Sequence, residues 1–274
     1  MASNSRMAQR AGIASVDPIW IELRREADEV AHTEPALGGF IYATILSQSR
    51  LEDAVCHRLA QRLNHSDVDA GLISQTFDQV LADHPELGRA FRADLAAVYD
   101  RDPACSRYIE PLLYFKGFHA LVTHRFAHEL WKLGRRDFAL YLQSQSSRIF
   151  GVDINPAARI GIGIMFDHGT GIVIGETTSI GERVRIYQGV TLGALSVPKA
   201  KVRAAESQKR HPTIEDEVII YANATILGGE TIIGRGAVIG GNCWVTASVA
   251  PGARLTVEDP SPGVRRSGPP RAAP

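Results

Sequence analysis

The chain has 274 residues, enough for one long or two compact domains, and its composition is that of an ordinary soluble protein. Thirty basic residues balance thirty acidic ones, so no net charge favours nucleic acid or an anionic membrane as a partner. Three widely spaced cysteines argue against disulfides or a cysteine-based zinc site, and a polar N-terminus without a long apolar run predicts a cytoplasmic protein with no membrane segment.

Residues 1–150 are predicted to form a helical domain. Asp17 and Pro18 supply a helix cap and a first-turn proline, and apolar residues then recur at helical spacing. Similar series follow, and the last of them ends before Gly134. These series cover residues 40–63, 68–81, 87–99 and 112–133. We expect about six helices in this domain.

After Phe150 the hydrophobic period becomes six residues, which fits neither a helix nor a simple strand. Aliphatic residues and one phenylalanine begin thirteen blocks. They are Ile154, Ile160, Phe166, Ile174, Ile180, Ile186, Leu192, Ile214, Ile220, Ile226, Ile233, Ile239 and Val245. This period is typical of a triangular coil of short parallel strands, with about 18 residues per turn. Thirteen blocks predict about four coils within residues 151–257.

The position four residues into each block is small or β-branched, which predicts a second inward-facing column. Thr170 is among these residues, and only the block at Ile226 departs from the rule, with Glu230. Glycines that follow several leading residues suit corners where a side chain does not fit. The helical domain is expected to cap one end of the coil.

Two segments fall outside the period. Residues 197–213 form an excursion about sixteen residues longer than the repeat allows, with five basic residues and one acid. This loop is either a solvated surface segment or an arm that contacts the phosphates of a cofactor. Residues 258–274 hold five prolines without any apolar period, and we expect this tail to be disordered.

Several segments resemble the bacterial serine O-acetyltransferases. The two that narrow the match most are PLLYFKGFHAL at 111–121 and FDHGTG at 166–171; the others are RDPA, VDINPAARIGIGIM, YQGVTLGA, KRHPTIEDEV and ATILGG. The six-residue period alone specifies only a broad superfamily of acyltransferases that includes some non-enzymes. The resemblance implies an α+β fold, in which an N-terminal α-helical domain precedes a left-handed parallel β-helix of hexapeptide repeats.

The resemblance also implies a reaction, the transfer of an acetyl group from acetyl-CoA to the L-serine hydroxyl, giving O-acetylserine for cysteine biosynthesis. A hydroxyl is a weak nucleophile at neutral pH, and an imidazole has a pKa suited to removing its proton. His168 is one of two histidines in the repeat half, and it follows Asp167 in a block whose inward positions are assigned to Phe166 and Thr170. We expect its side chain to point outward as the general base.

Other roles follow from the resemblance alone. Asp153 matches the carboxylate that orients the base, although it is also explained as a corner acid. Asp102 and Asp167 match the acids that bind the serine ammonium group, and Arg210 and His211 match the residues that bind its carboxylate. Asp102 has a plain alternative as a helix cap before Pro103, and His211 could simply end the loop.

A direct attack of serine on the thioester is favoured over an acyl-enzyme, because Cys243 is at an inward position and the other two thiols lie outside the repeats. By resemblance, backbone N–H groups near Gly193 and Ala194 hold the oxyanion; Ala194 stands where the family commonly has a second glycine. The pantetheine arm of acetyl-CoA is expected near Ala222.

No metal is expected in this protein. His124 and His128 stand four residues apart on a predicted helix, but His119 points about 140° away from His124 and no acidic signature accompanies them. Structural or interface histidines are the preferred interpretation. A zinc-dependent carbonic anhydrase on the same coil is discounted, since it ordinarily needs three repeat histidines and this chain has two.

Two other functions remain open from the sequence. The same fold could acetylate another amino acid, a sugar or an amine, or it could be a non-catalytic scaffold. The resemblance implies a homotrimer with sites between subunits, or a hexamer formed by two trimers through the helical domains, and it allows inhibition by cysteine. The chain ends in RAAP, without the C-terminal isoleucine through which family members bind cysteine synthase, which argues against that complex.

Overall fold

A computed structural model of the protein describes residues 17–195 and 209–257. The described residues form eight α-helices before the first strand. They are α1 Pro18–Thr33, α2 Gly38–Ile41, α3 Leu51–Leu63, α4 Ala70–Asp83, α5 Leu87–Arg101, α6 Ile109–Leu113, α7 Lys116–Lys132 and α8 Arg136–Phe150. A 3₁₀ turn, Pro35–Leu37, precedes α2, and a π turn, Tyr42–Leu46, continues it. Most of the basic excursion, the predicted tail and the C-terminal RAAP lie outside the described residues.

The expected number of six helices was too low, for two reasons. The predicted segments 40–63 and 112–133 are each interrupted, the second at Tyr114 and Phe115, so each contains two helices. Helix α8 was not predicted, because polar side chains occupy part of its inner face: Gln145 and Ser146 are buried there beside Leu142. The apolar residues of its inner face are therefore interrupted at positions 145 and 146.

Fourteen short strands follow. They are β1 Val152–Ile154, β2 Arg159–Ile160, β3 Met165–Asp167, β4 Ile172–Ile174, β5 Ser179–Ile180, β6 Arg185–Tyr187, β7 Thr191–Gly193, β8 Thr213–Ile214, β9 Ile219–Ile220, β10 Thr225–Leu227, β11 Ile232–Ile233, β12 Val238–Ile239, β13 Trp244–Val245 and β14 Arg254–Leu255. All thirteen leading residues of the predicted blocks lie in these strands. The structure confirms the predicted α+β class, in which helices precede a parallel β-helix.

The strands stack into three parallel sheets, the flat faces of a triangular prism. The first face has the order β1-β4-β7-β10-β13, the second β11-β8-β5-β2 and the third β14-β12-β9-β6-β3. Ile174 pairs with Leu192, eighteen positions later, as the predicted turn requires. Two faces have five strands, so the β-helix has about five turns, where four had been expected. The additional turn comes from β14 and from a bridge between Ile233 and Val249.

One predicted inward residue, Thr170, was wrong, and the departure noted at Glu230 has the same cause. Thr170 and Glu230 are exposed, and Ile172 and Thr231 are buried in their place. Both positions fall in blocks longer than six residues. In each of these blocks the buried residue lies two positions before the next leading residue, Ile174 or Ile233. The inward position is therefore found by counting back from the following strand.

One apolar core runs from the helices into the β-helix, and a buried ion pair lies at the junction. Asp94 on α5 is fully buried and accepts from Arg125 on α7 through two hydrogen bonds of 2.6 and 2.9 Å. Asp94 also accepts from the Ile164 N–H at 3.0 Å, and Arg125 donates to the Gly161 carbonyl at 2.7 Å. Burial raises the pKa of Asp94, while the adjacent guanidinium opposes that rise.

The histidines of α7 also contact the backbone. His119 Nε2 lies 2.7 Å from Leu112 O, and His128 Nδ1 lies 2.7 Å from Pro156 O in the corner after β1. Burial lowers the pKa of His119 to about 3 and holds that of His124 well below its usual range. These contacts join α7 to its neighbours. Across residues 17–195 and 209–257, no cluster of three or more His, Cys, Asp or Glu could hold a metal ion.

Among the helices that the structure describes, none is both long and apolar enough to span a bilayer.

We predict that Arg125→Met will lower the free energy of unfolding by about 3–5 kcal/mol, because it leaves the Asp94 carboxylate buried without its partner. Urea denaturation followed by circular dichroism measures the loss. Arg183→Met, at an exposed corner, serves as the control and should leave the midpoint unchanged. A variant at position 125 with wild-type stability would contradict the assignment of this pair as the junction.

Candidate active site

A cavity of about 520 Å³ lies where the helical half meets the first turns of the β-helix. Its walls include the ends of α5 and α7 and the corner after β3. Three of the predicted site residues line it together: Asp102, Asp167 and His168. Lys116 and Arg62 also line it, so the cavity combines two acids with basic groups.

His168 occupies the corner that follows β3. Its side chain is 74% exposed, so it points outward as expected. The backbone φ of 58° is unusual for a residue with a side chain, but Arg183, Glu217 and Asn223 adopt similar values at other corners. The conformation is therefore a property of the prism, which presents the imidazole on a regular turn.

Helix α7 supports this corner closely. A Cβ on Gly117 would overlap the Phe166 carbonyl, and one on Gly169 would lie 3.2 Å from the Gly117 Cα. The Lys116 ammonium donates to the Thr170 hydroxyl at the same corner. Sequence reasoning did not assign Lys116 or Gly117 a role, although both fall in the PLLYFKGFHAL segment that carried the resemblance.

The two acids of the cavity differ in how they are held. Asp167 is buried, and its Oδ2 accepts from Arg185 Nη2 at 2.6 Å, while its Oδ1 lies 3.7 Å from His168 Nε2. Asp102 ends α5, and its Oδ1 accepts from the Ala104 N–H at 2.9 Å. Asp102 is thus not the helix N-cap of the plain alternative, because no helix begins at Pro103; it closes a turn after α5 and also faces the cavity.

Asp153 lies elsewhere in the single chain. It is on β1, where its Oδ1 accepts from Gln143 Nε2 of α8 at 2.7 Å, and it lines a separate shallow recess against α8. Within the described part of the chain, the carboxylate within 4.0 Å of a His168 ring nitrogen is that of Asp167. The orienting role of Asp153 stays a prediction.

Arg210 and His211 are held at the other end of the first face by Thr177. The Thr177 hydroxyl oxygen accepts from the backbone N–H groups of both residues, at 2.9 and 3.0 Å. His211 Nδ1 accepts from the Thr177 N–H at 3.1 Å, and the Arg210 guanidinium pairs with Glu176. Burial lowers the pKa of His211 to about 4, so its ring is neutral at pH 7. Sequence reasoning missed Thr177.

The remaining predicted residues divide between two edges of the prism. We call the corners between the third and first faces the first edge; it holds His168 and Ala222 and is joined by hydrogen bonds between successive turns. The second edge, between the first and second faces, holds Gly193, Ala194 and the segment 210–211. One chain therefore presents the predicted site as two separate halves.

The thiols are not available for catalysis in the part of the chain that the structure describes. Cys56, Cys105 and Cys243 are all buried and unpaired, and Cys243 faces inward as expected. Burial raises the pKa of Cys105 to about 11, which leaves it protonated at neutral pH.

The comparisons with known proteins all match one protein family. The profile described as "Serine acetyltransferase, N-terminal" matches residues 19–123. Serine acetyltransferase 4 of Arabidopsis thaliana is 45% identical over 236 residues, which are 86% of this chain; the chain spans 64% of that relative's length.

Two solved structures are similar over nearly their whole chains. The serine acetyltransferase of Brucella abortus in complex with coenzyme A has a TM-score of 0.84 and 48% identity, covering 90% of this chain and 96% of that one. The serine acetyltransferase of Neisseria gonorrhoeae in complex with serine has a TM-score of 0.82 and 40% identity, covering 89% and 97%.

We predict that Thr177→Val will release the segment that carries Arg210 and His211, because their amides lose a shared acceptor. Hydrogen exchange at these two amides should become roughly tenfold faster, as the loss of one hydrogen bond implies. Thr225→Val, on the outer face of β10, is the control. Unchanged protection at both amides would contradict the role of Thr177.

Proposed function

This chain belongs to the serine acetyltransferase family, and from that premise we propose that it transfers the acetyl group of acetyl-CoA to the hydroxyl of L-serine. The product is O-acetylserine, for cysteine biosynthesis. The observation that carries the proposal is the exposed His168 imidazole, fixed on a rigid corner beside two carboxylates in one cavity.

His168 acts as the general base. As the serine oxygen attacks the thioester carbonyl, the imidazole removes the hydroxyl proton, a contribution of typically about 10²- to 10⁴-fold. Asp102 and Asp167 receive the serine ammonium group. Because the corner is fixed by α7 and by the turns above it, the base needs little reorganisation before it reacts.

Asp153 orients the base through the other ring nitrogen and stabilises the imidazolium that forms. Its Oδ1 is occupied by Gln143, which leaves Oδ2 for the imidazole. Asp153 pairs with Val173 across β1 and β4, and β4 begins just after the corner of His168. This strand register, which sets Asp153 beside the strand that follows His168, supports the proposed pairing.

The acetyl group passes directly to serine, since the three thiols are buried. As the tetrahedral intermediate forms, the backbone N–H groups near Gly193 and Ala194 stabilise its oxyanion. When it collapses, the C–S bond breaks and the leaving CoA sulfur takes the proton held by the His168 imidazolium, which releases the CoA thiol. The pantetheine arm extends along the first edge past Ala222. Unpaired cysteines are typical of a reducing compartment, which supports a cytoplasmic location.

The complete site forms between two copies of the chain. Asp102, Asp167 and His168 line the cavity beside the first edge, and Arg210 and His211 lie at the second, so a neighbour's second edge must approach the first edge to bind both ends of serine. The first face between these edges exposes Trp244 at 71% and Val173 at 41%, which supports burial against another copy. The assembly is a trimer, and two trimers form a hexamer through the helical domains.

We expect His168→Ala to lower serine-dependent release of free thiol from acetyl-CoA by about 10²- to 10⁴-fold, because no other group replaces the base. His32→Ala is a matched control, since its side chain is 76% exposed on α1. Activity that survives loss of His168 would defeat the mechanism, and equal rates with serine, threonine or sugars would defeat the assigned acceptor.

A mixing experiment tests the shared site. His168→Ala and Arg210→Ala should each be inactive alone, but co-expression forms hybrids in which some interfaces carry both intact residues. With random assembly of a cyclic oligomer, about one quarter of the wild-type sites should be restored. Hybrids that form, as shown by differently tagged subunits, without any recovery would place the whole site within one chain.

A further inference from the structure

The two oxygens of the Asp167 carboxylate face different neighbours, Arg185 and His168. Its Oδ2 accepts a 2.6 Å hydrogen bond from Arg185 Nη2, a charge-assisted contact between adjacent turns of the third face. Its Oδ1 lies 3.7 Å from His168 Nε2 and borders the cavity. Arg185 therefore fixes the carboxylate from the side away from the proposed substrate.

Arg185 is itself held by an aromatic stack. Its guanidinium carbon lies 4.7 Å from the centroid of the Tyr187 ring, and Tyr187 stacks on Tyr221 with centroids 5.0 Å apart and an interplanar angle of 21°. In the described residues, Arg185 Nε is buried with no hydrogen-bond partner. Asp167 is the only carboxylate paired with this guanidinium there, so the arginine has one ionic contact and a fixed plane.

We infer that Arg185 is a positioning residue for the substrate ammonium group. By occupying Oδ2, it keeps the Asp167 carboxylate from rotating and turns Oδ1 towards the cavity, where the ammonium binds. This inference rests on the proposed function, in which Asp167 binds serine. Arg185 does not touch the substrate.

Arg185 has two opposing effects on serine binding, and the larger of them decides the direction in which the serine KM changes. Its positive charge repels an incoming ammonium group, which would weaken serine binding. Its hydrogen bond preorganises the acceptor, which strengthens binding by removing the cost of ordering the carboxylate on association. Since the guanidinium bonds the far oxygen and is screened from the cavity by the carboxylate itself, preorganisation is the larger effect.

Arg185→Ala should raise the KM for serine about tenfold, the change expected for a lost charge-assisted hydrogen bond. The KM for acetyl-CoA should stay unchanged. Arg185→Lys restores a charge without the planar group and should raise the serine KM less. Tyr187→Ala removes the ring beneath the guanidinium and should follow Arg185→Ala in direction. Arg183→Ala, at the neighbouring exposed corner, is the matched control. Thermal melting confirms that each variant folds.

A double-mutant cycle with Asp167→Asn separates positioning from general destabilisation. Serine affinity is measured as KM and, for slow variants, as Kd by titration calorimetry. With Asn at 167, removal of Arg185 should have no further effect. An unchanged or lower serine KM in Arg185→Ala, or an equal loss in both backgrounds, overturns the inference while the active wild type still supports the function. A wild-type protein without serine-dependent thiol release overturns both.

Discussion

The structure depends on the buried ion pair between Asp94 and Arg125. Removing two charges from water is costly, and here the cost is offset because the two groups bond each other twice and each also bonds the backbone across the junction. They bond the backbone at Gly161 and Ile164, in the corner that leads directly into β3. Helices α5 and α7 are thereby tied to β3, which carries Asp167 and leads into the corner of His168. The helical half is more than a cap, since it sets the position of the candidate base and supplies Asp102 to the same cavity.

The β-helix holds this strand in place and exposes the side chains of the corner that follows it. Its interior is filled by columns of aliphatic side chains, so each corner is determined by the turns above and below it. A histidine on such a corner exposes its side chain to solvent while its backbone stays fixed. The same regularity limits what one chain can do, because the first and second edges lie at opposite ends of a flat face. The proposed division of the site between copies follows from the separation of these two edges.

The sequence predicted the elements that repeat and missed those that depend on distant contacts. The six-residue period located all thirteen leading residues, because each turn must place apolar side chains in the same buried columns. Thr170 was misassigned, and Glu230 departed from the rule, because in longer blocks the inward position keeps its distance from the next strand. The roles of Gly117, Thr177 and Arg185 depend on segments about twenty to fifty positions away, or on the adjacent turn, and no local pattern records such contacts. Helix α8 was missed because the polar residues Gln145 and Ser146 interrupt the apolar residues of its inner face.

The central claim is that the His168 imidazole accepts the proton of the acceptor hydroxyl. A crystal structure of the protein with serine and coenzyme A tests it most directly. The account predicts the serine oxygen about 2.6–3.2 Å from His168 Nε2, or one water away, with its ammonium group on Asp167. A serine oxygen held by a different base, with His168 turned to solvent, would contradict the account.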